Sequence, residues 1–221
     1  MWTGFRAVLR ETHRLRGRHL RGAPAALALA LALVAPTATY AQTKVLCLGD
    51  SLTEGYGVEP ERAFPALVEK KFVDLGKDVR IINAGISGST SASAVSRLRW
   101  QLRGKPDVVL LALGGNDGLR GLRVDQTRKN LDEAIALAKS SGVKVLLAGM
   151  KLPPNYGPEY TSDFEEIYPA LAKERGIALI PFLLEGVAAR PELNLPDGIH
   201  PNARGHEIVA ETVFSHLRPL L

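Results

Sequence analysis

Only one cysteine is present in the 221 residues, so no disulfide can form within the chain and the fold must rest on its apolar core. That residue, Cys47, lies in the apolar run 45–48, where it is expected to pack as a small hydrophobic side chain. Burial disfavours a thiolate, which argues against Cys47 as a nucleophile. Long apolar runs are lacking as well, because the run 25–35 is far shorter than the roughly 20 residues of a membrane-spanning helix.

An excess of positive charge is absent from most of the chain, although the formal net charge of the whole is +5. Six of the 28 basic side chains lie before residue 23, and only Glu11 opposes them there. The 22 basic side chains that remain are matched by 22 acidic ones. A nucleic-acid-binding domain would carry a basic surface of its own, so no nucleic-acid partner is expected.

Residues 1–41 have the organisation of a secretory signal peptide. An arginine-rich segment precedes the apolar run 25–35, and small residues lead to Ala41, after which we expect cleavage. The segment has no adjacent pair of arginines, the feature that would indicate the twin-arginine route. We therefore expect Sec-type export to the periplasm or the medium. The alternative is an amphipathic surface helix, which Gly17, Gly22 and Pro24 would interrupt.

Residues 42–221 contain no internal repeat or linker and are expected to form one domain, a monomer without a stable membrane span. Apolar runs that predict buried strands lie at 45–48, 79–84, 108–113, 143–148 and 177–180. Apolar residues recur at helical spacing, and so predict helices, at 64–75, 92–102, 125–139, 160–175 and in the C-terminal segment. Repeated strand–helix units of this size predict an α/β fold, a parallel sheet with helices on both faces.

Ser51 follows the first predicted strand, at the sheet edge where ligands bind in open α/β proteins. A serine there can be a nucleophile if a base and an oxyanion hole support it. A structural role is the alternative, because residues 51–54 also fit a capping box in which Ser51 caps a short helix.

Glycine-rich loops follow the second and third strands and end at the same edge. The backbone N–H groups of Ser51 and Gly88 and the side-chain amide of Asn116 are candidate oxyanion donors. Both loops are also ordinary turn sequences. Ser87 lies in a near match to the Gly-x-Ser-x-Gly nucleophile elbow, but Ser89 replaces the final glycine, so Ser87 is not assigned as the nucleophile.

Three histidines follow the predicted signal peptide, and one has an acidic residue at a useful spacing. Asp197 precedes His200 by three residues, so its carboxylate can hold Nδ1 of the ring while Nε2 accepts a serine proton. The order Ser, Asp, His is one of the known orders of hydrolytic triads. We interpret His216 as structural and expect His206 to be solvated near the start of the last helix.

Four sequence blocks together resemble the GDSL/SGNH serine hydrolase family. They are Gly49-Asp50-Ser51-Leu52, Gly88, Gly114-Gly115-Asn116-Asp117 and Asp197-Gly198-Ile199-His200-Pro201. The runs 114–121 and 152–157 further resemble its bacterial arylesterase, acyl-CoA thioesterase I and lysophospholipase branch. The resemblance implies a flavodoxin-like three-layer α/β/α sandwich with a five-stranded parallel sheet.

The resemblance also implies a role for each matching residue. Ser51 would be the nucleophile and an oxyanion donor, with Gly88 and Asn116 completing the oxyanion hole. Asp197 would orient His200, which would act as the base. The chain departs from the branch at Ser89, where aspartate is common, a difference that bears on substrate preference rather than on the reacting atoms.

Apolar residues near these loops could line an acyl groove or be ordinary packing, and the candidates are Leu119, Leu122, Leu152 and Tyr156. The expected activity is cleavage of carboxylic ester and thioester bonds in small acyl esters, thioesters or lysophospholipids, through an acyl-enzyme and without cofactor or metal.

Three alternatives remain for the function. A carbohydrate-acetyl esterase on the same fold is the first, and a non-catalytic binding module is the second. The third is a metal-dependent phosphoesterase, for which few histidines are available after the signal peptide, and its candidate ligands are Asp50, Asn116, Asp117, Asp197 and His200.

Overall fold

The computed structural model describes residues 42–221, so the predicted signal peptide lies outside the described residues. One all-parallel sheet has the strand order β2-β1-β3-β4-β5, which confirms the predicted five-stranded parallel sheet. Its strands are β1 (Thr43–Gly49), β2 (Val79–Gly85), β3 (Val108–Ala112), β4 (Lys144–Ala148) and β5 (Ala178–Ile180). The central strands are apolar and buried over residues 45–48, 108–112 and 145–148 because helices cover both of their faces.

Helices form the two outer layers of the α/β/α sandwich. Within residues 42–221 they are α1 (Ser51–Glu54), α2 (Phe64–Asp74), α3 (Ala94–Gln101), α4 (Gly115–Leu119), α5 (Val124–Ser140), α6 (Pro158–Arg175) and α7 (Ala203–Leu217). Helices α2 and α7 pack together on one face, and α3, α5 and α6 pack on the other. None of the helices in this part of the chain combines the length and the hydropathy needed to cross a membrane.

Some predicted boundaries differ from the observed ones for local reasons. Helix α6 begins at Pro158, about two residues earlier than predicted, because proline is well suited to the first helical position. The glycine-rich segment after β3 forms the short helix α4 rather than a plain turn.

Cys47 is buried in β1 as expected, and burial raises the pKa of its thiol to about 12.

The first three strands end level with one another, which positions the loops that follow them. Gly49 is paired with Gly85 on one side and with Ala112 on the other. Helix α1 lies directly against these strand ends: a Cβ on Gly49 would overlap the Thr53 side chain, and one on Gly85 would overlap the backbone of Glu54. Both positions therefore require glycine if α1 is to stay where it is.

His206 is buried, with 1% of its surface exposed, so the expectation that it is solvated is wrong. Its Nδ1 accepts the backbone N–H of Phe64 at 3.2 Å, and its ring stacks on the Phe64 ring. Helix α2 has no side-chain cap of its own, because Ala63 precedes it. His206 thus satisfies an otherwise unpaired N–H at the start of α2 from the neighbouring helix α7.

The buried histidine makes stability depend on pH. Burial, reinforced by the charge of His200, lowers the pKa of His206 from 6.5 to about 4. The unfolded chain binds this proton more readily, so the stabilisation is complete above pH 6.5 and is lost as pH falls toward 4. The loss amounts to about 3 kcal/mol in total.

We expect His206→Asn, which keeps a hydrogen-bond acceptor but does not titrate, to flatten this dependence. The free energy of unfolding in urea should fall less between pH 7 and pH 4 in the variant than in the wild type. His216→Asn, altered near the end of the same helix, serves as the control and should keep the wild-type slope. Equal slopes in all three proteins would contradict the assignment.

Candidate active site

Ser51 is the first residue of α1 and follows β1 after a single intervening residue, Asp50. The helix is capped by Asp50, whose Oδ1 accepts the N–H of Leu52 at 3.0 Å. The capping-box interpretation, in which Ser51 would be the cap, is therefore wrong. The hydroxyl of Ser51 instead contacts His200, with 2.9 Å between Oγ and Nε2.

The structure brings Ser51, His200 and Asp197 into one hydrogen-bonded series. Nδ1 of His200 lies 2.8 Å from Oδ2 of Asp197, on the opposite side of the ring from Ser51. This arrangement places the ring proton on Nδ1 and leaves Nε2 as the acceptor for the serine hydroxyl. The three candidate residues of the triad are thus positioned as a general base, its orienting group and a nucleophile require.

The Asp197 carboxylate is fixed by its own loop. Its Oδ1 accepts the backbone N–H groups of His200 and Ile199 at 3.0 and 2.9 Å. The bond from the His200 N–H is the largest of the effects that lower the pKa of Asp197 to about 2. The loop is closed by a bridge between Asn194 and Pro201. Asp197 is therefore ionised at neutral pH.

Asn116 lies at the start of α4, close to the serine turn. Its Nδ2 donates to the Ser89 carbonyl at 3.1 Å and to Oδ2 of Asp50 at 3.3 Å. Gly88 has a φ of +75°, and its carbonyl accepts a bond from Arg120 at 3.0 Å. Ser51 and Asn116 both line the adjoining cleft, whereas Gly88 is not part of the cleft wall.

Ser87 has a different partner from Ser51. Its backbone N–H donates to the Glu54 carboxylate at 2.7 Å, and its hydroxyl donates to the same carboxylate oxygen. No histidine among residues 42–221 forms a hydrogen bond with Ser87, so Ser87 stays outside the candidate triad.

The cleft beside Ser51 has a volume of about 490 Å³ and mostly apolar walls. Of the four candidates for an acyl groove, Leu119 and Leu152 line this cleft, whereas Leu122 and Tyr156 do not. The Tyr156 hydroxyl donates to the Leu119 carbonyl at 2.9 Å, and Leu122 is exposed outside the cleft. Apolar lining residues that were not candidates for the groove include Met150, Phe182, Leu184, Ala188, Ala189 and Ile199.

A second cavity of about 390 Å³ at the amino ends of β4 and β5 contains none of the candidate residues.

Comparison with known proteins identifies the family. Residues 47–208, which span the serine turn and the Asp197–His200 loop, match the model of the GDSL-like Lipase/Acylhydrolase family. The chain belongs to this family.

Several relatives in the GDSL family are named as esterases. Esterase TesA of Pseudomonas aeruginosa is 43% identical over 192 residues, covering 86% of this chain and 96% of TesA. The arylesterase of Vibrio mimicus is 40% identical with the same coverage of 86% and 96%. The thioesterase 1/protease 1/lysophospholipase L1 of Escherichia coli is 40% identical over 178 residues, covering 80% of this chain and 84% of that protein.

Solved structures in the GDSL family share the fold. The crystal structure of TesA has a TM-score of 0.79 at 42% identity, covering 81% of this chain and all of that one. AlinE4, an SGNH-hydrolase family esterase, has a TM-score of 0.68 at 39% identity, covering 81% and 97%. This chain is accordingly a serine esterase of the SGNH type that acts on ester bonds.

Two residues beside the GDSL serine were not predicted as parts of the triad or the oxyanion hole. Tyr56 packs its ring against His200, with 4.6 Å between ring centroids, but nothing in its sequence position signals this contact. Asp50 is 2% exposed, and burial raises the pKa of its carboxyl to about 6, against the opposing bond from Leu52 and the charge of His200. In the sequence, Asp50 is part of the block Gly49-Asp50-Ser51-Leu52, and the only role assigned to it there is that of a candidate metal ligand.

The described residues do not support the metal-site alternative. No group of three or more histidine, cysteine or acidic side chains in residues 42–221 is placed to hold a metal ion. Asp117, one of the proposed ligands, instead accepts the N–H and the hydroxyl of Ser91 at 2.8 and 2.6 Å. Its carboxylate thereby joins α4 to the segment before α3.

The orienting role of Asp197 can be tested by Asp197→Asn. An amide in place of the carboxylate loses the charge that stabilises a protonated ring and can favour the wrong tautomer of His200, a change that costs about 10⁴-fold in other Ser-His-Asp enzymes. We expect kcat on a p-nitrophenyl ester to fall by about 10³-fold or more. Asp125→Asn, at an exposed ion pair with Arg123, is the control and should retain full activity. Retention of a tenth of the activity by Asp197→Asn would argue against the role.

Proposed function

We propose that the protein is an exported serine hydrolase that cleaves carboxylic ester and thioester bonds through an acyl-enzyme on Ser51. The observation that carries the proposal is the series of hydrogen bonds from Ser51 Oγ through His200 to Asp197, at 2.9 and 2.8 Å, beside an apolar cleft. No other serine considered from the sequence has a histidine partner of this kind.

The first half of the reaction forms the acyl-enzyme. Oγ of Ser51 attacks the carbonyl carbon of the substrate while Nε2 of His200 takes the hydroxyl proton. The carboxylate of Asp197 stabilises the imidazolium that results. His200 then gives the proton to the departing alcohol or thiol, and the carbonyl bond re-forms as the leaving group is released.

The second half repeats these steps with water as the nucleophile. His200 removes a proton from water, the hydroxide attacks the acyl carbon, and the proton returns to Oγ of Ser51 as the acid leaves. In both halves the oxyanion would be held by the N–H groups of Ser51 and Gly88 and by Nδ2 of Asn116. The Ser51 N–H opens helix α1, where the first amide groups have no partner within the helix.

The lining of the cleft supports an acyl chain as the part of the substrate that it binds. Leucine, methionine, phenylalanine and alanine side chains dominate its wall, and each buried methylene of a substrate contributes about 0.8 kcal/mol. The names of the relatives, arylesterase and thioesterase 1/protease 1/lysophospholipase L1, agree with small acyl esters, thioesters or lysophospholipids as substrates. An acetyl group on a carbohydrate would use little of this surface.

Export is proposed from the signal-peptide organisation of residues 1–41. The part of the chain that matches the GDSL family begins after it, at residue 47. Expression of the full chain in a bacterium that has a Sec pathway, followed by mass spectrometry of the secreted or periplasmic product, should give Gln42 as the first residue.

The nucleophile and one oxyanion donor can be tested together. Ser51→Ala should abolish turnover of p-nitrophenyl butyrate and labelling by a fluorophosphonate, because both need the same Oγ. Asn116→Ala should lower kcat by about 10²–10³-fold, the usual cost of one oxyanion donor. Ser87 donates its hydroxyl to Glu54, so Ser87→Ala is the matched serine control and should remain active. Loss of activity with a chelator, or labelling of Ser51→Ala, would be inconsistent with the proposal.

The acyl cleft can be tested by filling it. Ala188→Phe should lower kcat/KM for p-nitrophenyl laurate about tenfold or more relative to p-nitrophenyl acetate, because contacts with several methylenes are lost. Leu122→Phe, which alters a residue outside the cleft, should leave the ratio unchanged. A changed ratio in Leu122→Phe alone would place the acyl chain elsewhere.

A further inference from the structure

The buried carboxyl group of Asp50 needs an explanation beyond the helix cap. Its hydrogen-bond partners in residues 42–221 are the Leu52 N–H and the Asn116 amide, and no cation forms a salt bridge with it there. Burying a carboxylate without such a partner is costly. Serine, threonine or asparagine would cap α1 equally well without a buried charge. Capping therefore does not account for an acidic residue at this position.

The geometry requires two acceptors at position 50. Oδ1 of Asp50 receives the N–H of Leu52 at 3.0 Å, and Oδ2 receives Nδ2 of Asn116 at 3.3 Å. Both neighbours are donors. An asparagine would have one acceptor oxygen and would place its NH₂ group against one of them, whereas a carboxylate satisfies both.

The second contact connects Asp50 with the oxyanion hole. The Asn116 amide has two N–H groups, and the Ser89 carbonyl accepts from Nδ2 at 3.1 Å. Oδ2 of Asp50, the residue before Ser51, accepts from the same nitrogen. A contact of 3.3 Å is long for an N–H···O bond, so it can orient the amide without competing strongly with an oxyanion.

We propose that Asp50 is a positioning residue that holds the Asn116 amide in place beside Ser51, so that one N–H is ready to receive the oxyanion. The inference rests on the proposed function, in which Asn116 is an oxyanion donor. The Ser89 carbonyl keeps one N–H of Asn116 during the reaction, and the other passes from Oδ2 of Asp50 to the substrate oxygen. Donors that are already oriented need little reorganisation when charge develops.

A double-mutant cycle separates this role from a structural one. Asp50→Asn and Asp50→Ser should each lower kcat about 10- to 100-fold with KM nearly unchanged, a smaller loss than that of Asn116→Ala. In the Asn116→Ala background the same changes should cost less than about threefold, because the group to be positioned is gone. Asp50→Ser keeps a capping hydroxyl for Leu52, so it should keep the wild-type stability in urea.

Two outcomes of the cycle would overturn the inference. An equal cost of the Asp50 variants in both backgrounds would show a structural role. A shifted acidic limb of the pH–rate profile without coupling to Asn116 would show that Asp50 acts only through its charge on His200. If Ser51→Ala retained activity, the proposed function would fail first, so the two failures are distinguishable.

A measurement on the unaltered protein needs a variant only for the assignment of its signals. The side-chain amide protons of Asn116, identified by their absence in Asn116→Ala, should exchange with solvent more slowly than those of the exposed Asn155. Exchange at the rate of Asn155 would mean that the amide is not held, and the inference would be wrong.

Discussion

The close approach of helix α1 to the ends of β1 and β2 is the constraint on which the site depends. It is possible because Gly49 and Gly85 have no side chains at the contact. Arg97 reinforces the same junction, since its Nη2 donates to the carbonyl of Gly49 at 2.9 Å and to that of Ala84. Ser51 is thereby fixed on rigid backbone, and His200 has only to reach it from a separate loop.

The fold and the Asp197–His200 pair could be predicted because their signals are local. Apolar runs of strand length alternate with helical periodicity, and Asp197 lies three residues from His200, so the loop itself brings them together. The link between Ser51 and His200 spans 149 positions, and only the combination of motifs indicated it. The residues alone left Ser51, Gly88 and Asn116 as candidate oxyanion donors beside the alternative of ordinary turns, and the resemblance to the family favoured the donors.

Features that depend on packing between distant elements were not predictable in this way. His206 looked solvated because it opens an amphipathic helix, but the uncapped start of α2 lies against it. Leu122 and Tyr156 are close in sequence to the site loops. Leu122 is nevertheless exposed, and the Tyr156 hydroxyl donates a hydrogen bond to the backbone carbonyl of Leu119. The contact between Asp50 and Asn116 joins residues 66 positions apart and has no sequence signal of its own.

Part of the cleft wall comes from segments that do not carry the reacting groups. Ser51 and Asn116 lie in the short helices α1 and α4, which follow β1 and β3, and His200 lies in the loop before α7. Met150, Leu152, Phe182 and Ala188 belong instead to the segments that follow β4 and β5. Substitutions in those later segments can therefore retune which acyl groups fit while the proton-transfer geometry is preserved. The substrate range of such a scaffold can therefore change through the cleft residues alone, while the nucleophile and its base stay the same.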